Sequence, residues 1–143
     1  VDVTGLALTI TPHSTNSKII VCLSLSICGD YFASYARIER RVSGASNLEI
    51  FSGTGAGVRP THAICQTGDN GIQDSHGQIF MVHRQFIDEP GTTSEITYQV
   101  QAQGRPDNAA NGDTRINFSV PDRNTNSYDA RMASELMVME VSG

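Results

Sequence analysis

Tryptophan is absent from this chain of 143 residues, and lysine occurs once, at Lys18. Charged residues make up 17%, below the roughly 25% of ordinary domains. That scarcity argues against a disordered polyelectrolyte. No apolar run approaches the roughly 18 residues of a membrane-spanning helix, so no membrane insertion is expected. The opening at Val1 shows no basic segment and no cleavage site, so no signal peptide is expected. The net charge is −5, which disfavours nucleic acid as a partner. The densest basic cluster, Arg37, Arg40 and Arg41, is interrupted by Glu39 and reads as a solvated strand face. There are 3 cysteines, Cys22, Cys28 and Cys65, and an odd number closes no disulfide framework. Cys22 and Cys28 lie about 20 Å apart in an extended strand and cannot bridge. All three read as small buried hydrophobes of a protein matured in a reducing compartment.

Signatures of catalysis are missing as well. There is no phosphate-binding loop, and Gly53–Gly57 is followed by Val58-Arg59-Pro60 rather than a helix signal, so it reads as a plain loop. No Gly-x-Ser-x-Gly elbow occurs. His13, His62, His76 and His83 fall in no metal-ligand spacing. A zinc set of His76, His83 and Cys65 is a poor alternative to scattered, structural side chains. Asp69, Asn70, Gly71 and Asp74 do not follow the alternation of a calcium loop and read as a turn. Asp88 and Glu89 are adjacent and diverge on a strand, unlike the opposed carboxylates of a glycosidase, so they read as a solvated strand end. The expectation is a non-enzyme with no cofactor and no metal.

What is present is period-2 patterning between Ser, Asn and Gly breaks. Lys18–Cys28 is the strongest case, with Ile19, Val21, Leu23, Leu25 and Ile27 on one face. Ser94–Gln103 sets Ile96, Tyr98, Val100 and Ala102 against an outward row of Glu95, Thr97, Gln99, Gln101 and Gln103. Thr4–Thr11, Ala33–Val42, Asn47–Ser52, Gln78–Ile87, Arg115–Val120 and Glu135–Val141 complete eight strands, with Thr61–Cys65 a weak ninth. Ala130–Met139 has helix-forming composition but reads better as strand. Without a crossover helix, pairing is antiparallel. The fold class is therefore all-β: one domain over 1–143, an antiparallel β-sandwich, most simply a jelly roll of about eight strands. Leu23, Leu25, Ile96, Tyr98, Phe118 and Val138 are expected in the core.

Two strands are apolar on both faces. Gln78–Ile87 offers Phe80, Val82 and Phe86 one way and Ile79, Met81 and Ile87 the other. Glu135–Val141 offers Leu136 and Val138 against Met137, Met139 and Val141. A sandwich core covers one face of each sheet, and an exposed stripe of this kind marks an interface. Ile79, Met81, Met137, Met139 and Val141 are the expected surface of a homo-oligomer. The alternative is a terminal strand inserted between sheet and loops.

Several blocks resemble a family of bacteriophage virion proteins. Val1-Asp-Val-Thr-Gly-Leu-Ala-Leu-Thr-Ile-Thr-Pro resembles its "x-D-V-T-G-L-S-x-S-I-T-P" opening, and Ser14–Val21 resembles the Ser/Thr/Asn cluster and "S-K-I" segment that follow. Asp88–Val100 resembles its "D-x-P-x-T-T-S-x-x-x-Y-x-V" block, and Leu136–Val141 its terminal "L-x-x-M-E-I". The resemblance implies a trimeric jelly-roll tail-fibre, head-fibre or capsid-decoration protein. It would be a homotrimer on the virion, assembled in the host cytoplasm among other virion proteins, with host cell-surface glycan as a candidate ligand. Tyr31, Phe32 and Tyr128 are the aromatic residues offered for stacking on sugar rings. A glycan-active depolymerase and a cellular module like the complement globular head are the competing classes.

Overall fold

The structure is a computed structural model, and it describes residues 1–29, 34–54, 62–66, 79–104, 114–119 and 130–143, with Cys65 and Gln66 as backbone only. Over these residues the chain is all-β, with strands β1 (Asp2–Ile10), β2 (Lys18–Gly29), β3 (Ser34–Val42), β4 (Leu48–Ile50), β5 (Ile64–Gln66), β6 (Phe80–Asp88), β7 (Ile96–Gln103), β8 (Thr114–Ile116) and β9 (Glu135–Val141). They form two antiparallel sheets around one shared core, a β-sandwich.

Sheet A runs β1-β7-β3, with β4 and β5 both on the far edge of β3. Sheet B is built on β2. Strand β6 lies along one edge of β2 from Ile19 to Ile27. On the other edge, β9 pairs with Lys18–Ser24 and β8 with Ile27–Gly29. The gap between β9 and β8 is stitched by side chains. The Ser26 N–H donates to Ser134 Oγ at 2.9 Å, and the Ser26 hydroxyl donates to the Ala133 carbonyl at 3.2 Å. Ser134 Oγ in turn donates to Asn117 Oδ1 at 2.6 Å, and the Asn117 N–H donates to the Ser26 carbonyl.

Strict alternation gives β2 one fully buried face. Ile19, Val21, Leu23, Leu25 and Ile27 are each at most 2% exposed. Facing them are Ala36 and Ile38 of β3 and Ile96, Tyr98 and Val100 of β7. Phe118 and Val138 are half-buried rather than fully enclosed. Phe118 sits beneath the guanidinium groups of Arg115 and Arg131, each 5.6 Å from its ring centroid.

Three strands differ from the sequence expectation. Strand β4 ends before Phe51, whose φ of 61° leaves the extended region. Strand β8 stops at Ile116 because Asn117 takes φ 72°. In β1, Gly5 at φ 83° lies within a register shift between Asp2 and Ala7. This bulge explains why Gln99, expected to face solvent, is 7% exposed. Its amide turns onto the bulge and donates to the Val3 and Leu6 carbonyls at 3.2 and 3.4 Å. Ser94–Gln103 and Glu135–Val141 otherwise form strands as expected, the latter preceded by a non-helical stretch over the described residues 130–134.

Candidate functional site

Directly paired residues of antiparallel strands share a face, so the register of sheet B defines its outer surface row by row. Ile20 is flanked by Ile87 and Met139, Cys22 by Gln85 and Met137, and Ser24 by His83 and Glu135. Ser26 faces Met81, and Lys18 faces Val141. Ile87 is 60% exposed and Met139 48%, so the first row is an apolar cluster open to solvent. Of the residues expected at an interface, Met81, Met137, Met139 and Val141 all point outward from this sheet. Ile79 precedes β6 and is half-buried. Ile20 belongs to the cluster although its strand was read only for its buried face.

The outer surface is not one continuous stripe. The His83–Ser24–Glu135 row separates Ile20, Ile87, Met139 and Val141 from Met81. Met81 is itself bonded, with its Sδ 3.4 Å from both the Ser24 and Ser26 hydroxyls. Between the rows lies an open hollow of about 320 Å³, lined by Cys22, Leu23, Ser24, His83, Arg84, Gln85, Glu135 and Met137. His83 stands exposed on β6 at its edge.

The outer face of sheet A is different in kind, because its charges are paired with one another. Arg37 reaches Glu49 at 3.0 Å and Gln101 at 2.6 Å. Arg41 donates to Glu39 at 2.6 Å and to Asp2 at 2.8 Å. Asp2 is held below the usual carboxylate range by these bonds from Arg41 and Gln101. Arg40 points the other way, into the sandwich. It grips both oxygens of Asp88 at 2.7 and 2.9 Å, and the Tyr98 hydroxyl donates to the same carboxylate at 2.7 Å. The solvated strand end expected at Asp88 is therefore corrected: Asp88 shares the inner face with Ile19, its pairing partner, and is 7% exposed. Burial, followed by the bond to Asp88, pushes the Tyr98 phenol far above its ordinary value.

A further contact ties the β1–β2 turn to β9. Glu140 accepts from the His13 N–H through Oε1 and meets His13 Nδ1 through Oε2, both at 2.7 Å. The Glu140 carboxyl is lowered to about 2 by the Ser17 hydroxyl and by His13. His13 is raised in turn.

Tyr31, Phe32 and Tyr128, offered as ligand-binding aromatics, lie outside the described residues, as do His76 and the 69–74 turn. Cys22 is half-buried and Cys28 buried, and neither is in a disulfide. Among the described residues no group of three or more His, Cys, Asp or Glu is placed to hold a metal ion, and no helix is long and apolar enough to cross a membrane. Compared with protein-family models, curated proteins and solved structures, the chain shows no match.

Proposed function

We propose that this chain is a non-enzymatic structural protein of a bacteriophage particle, a homotrimeric fibre knob or capsid decoration that contacts host-surface glycan. The observation that carries self-association is the solvent-facing cluster of Ile20, Ile87, Met139 and Val141 on sheet B. Its occupant is another copy of the chain. Strand faces of Ile, Met and Val are flat and adaptable, and Met in particular repacks against its own kind. The nearest charge, Lys18, is neutralised by Glu89 at 2.8 Å, so no net charge opposes the approach of an identical surface. Burying such side chains contributes roughly 1.5–3 kcal/mol each, set against the entropy of association. The order of three, the virion setting and the glycan come from the resemblance of the terminal and central sequence blocks.

The jelly-roll form of the sandwich belongs to the same proposal. It is supported by the way β1, β2 and β3, and again β6, β7 and β8, alternate between the sheets. A non-enzymatic role is supported by the order of the His83–Ser24–Glu135 row. Serine stands in the middle, whereas a nucleophilic triad needs histidine between serine and acid. Sedimentation of the purified chain tests the reading. A trimer is expected at micromolar concentration, and a monomer there refutes self-association. Turnover of host polysaccharide would replace the binder with a depolymerase.

A further inference from the structure

Of the four buried side-chain polar atoms that complete no hydrogen bond among the described residues, three lie at one place. They are Nδ1 and Nε2 of His62 and Oε1 of Glu49, at the β4–β5 edge of sheet A. The His62 side chain is 8% exposed, and its Nδ1 stands 3.7 Å from Glu49 Oε1, too far for a hydrogen bond. Its ring lies tilted against Tyr35, with centroids 4.9 Å apart. Native structures keep few buried polar atoms unpaired, because each costs stability. Imidazole is also the group that mild acid turns into a cation.

The surroundings suit a neutral ring and reject a charged one. Tyr35 and Arg37 meet His62 from β3, Glu49 from β4, and Gln101 and Gln103 from β7, while Val1 lines the same hollow. Glu49 is the anion of this group, and its other oxygen already accepts from Arg37 at 3.0 Å. The Val1 ammonium is turned to the Ala102 carbonyl at 2.8 Å. A proton on His62 would set a second cation on a carboxylate that Arg37 has neutralised. The hollow beside the ring measures about 20 Å³, room for a single water, so an imidazolium cannot be hydrated where it lies. Burial accordingly pushes His62 below its ordinary 6.5, with Glu49 opposing the fall and Arg37 adding to it.

We infer that His62 is an acid-operated latch: neutral, it packs over Tyr35 and holds β5 to β3, and it takes up a proton by leaving its slot and opening the β5 edge. Strand β5 is the element placed to yield. It begins two residues after His62 and pairs with β3 over three residues only, and short edge elements open locally at the least cost. Opening uncovers Ile64, which is 2% exposed in the closed form, so acid gives the chain an apolar surface that it otherwise hides. Because the folded value lies below 6.5, the stabilisation from His62 is complete above 6.5 and is lost as pH falls toward that folded value. The latch does not depend on self-association, whose surface is on sheet B.

Hydrogen–deuterium exchange of the intact chain between pH 7.5 and 5.0, corrected for the intrinsic pH dependence of exchange, tests the latch. Protection over Ile64–Gln66 is expected to fall by up to about tenfold per pH unit below 6.5, while Ile96–Gln103 in the same sheet keeps its protection. His62→Phe retains a ring over Tyr35 without the two nitrogens, and its β5 protection should not change with pH. His62→Gln, a second neutral variant, should behave in the same way. The imidazole signals of His62 should titrate below 6.5 by nuclear magnetic resonance. Constant β5 protection in the wild type overturns the latch, as does a midpoint at or above 6.5. An equal fall in both variants assigns the opening to carboxylates, and a matching fall in β7 makes it global unfolding; either result also overturns it. Sedimentation at pH 7.5 judges the assembly reading separately.

Discussion

Asp88 is held by two partners from the opposite sheet. Its carboxylate takes two bonds from Arg40 and one from Tyr98 across the sandwich, and both ion-pair partners are largely shielded, at 17% and 9% side-chain exposure. Removing one partner of such a pair strands the other charge, so Asp88→Ala should cost about 3–5 kcal/mol in urea unfolding. Tyr98→Phe deletes one bond and leaves the pair intact, and about 1.5–3 kcal/mol is expected, since the acceptor is charged. Equal losses from the two would show that the phenol, not the ion pair, holds the sheets. His13 and Glu140 act at the surface and through pH. The folded His13 value lies above its ordinary 6.5, so its stabilisation is complete below that value and is lost as pH rises through the raised one. The folded Glu140 value of about 2 lies below the ordinary 4.5, so that contribution is present above 4.5 and fades as pH falls toward 2. The thermal midpoint should therefore decline as pH rises from 6.5 through the raised His13 value, and His13→Ala should flatten that part of the profile.

Among the elements, β2 organises the most. Leu23→Ala should destabilise by about 2–5 kcal/mol through lost burial and a cavity between the sheets, read by chemical denaturation. Strand β9 does two jobs. Leu136 and Val138 close the core, while Met137 and Met139 face out. Met139→Asp should abolish or weaken the oligomer in sedimentation while the monomer's thermal midpoint stays nearly unchanged, because Met139 is already half-exposed in the single chain. A large drop in midpoint would instead make Met139 a core residue. Element ends were less legible than element cores. The alternation of Ile19–Ile27 identifies both a strand and its buried face, because a period of two admits one assignment. Phe51 and Asn117 show no such signal. Their left-handed backbone follows from the loops they enter; asparagine is enriched in that region, whereas phenylalanine carries no local mark of it.

For the molecule as a whole, the expectation is assembly without metal. A chelator should leave the thermal midpoint where it was, and a clear fall would reveal a ligand set outside the described residues. Local order, and with it the all-β class, the buried face of β2, and the inward row of Ile96, Tyr98 and Val100, was determined by the sequence itself. Side-chain alternation is written residue by residue and needs no partner to be read. The outward direction of Met137 and Met139 was equally legible, for the same reason. Which rows meet across strands was not. That Ile20 joins Ile87 and Met139, that His83, Ser24 and Glu135 interrupt the apolar surface, and that Asp88 lies against Arg40 and Tyr98 depend on register and on which sheet faces which. Register is a property of pairs distant in sequence: a strand's own pattern says which side chains share a face, while only the closed tertiary structure decides what stands beside them.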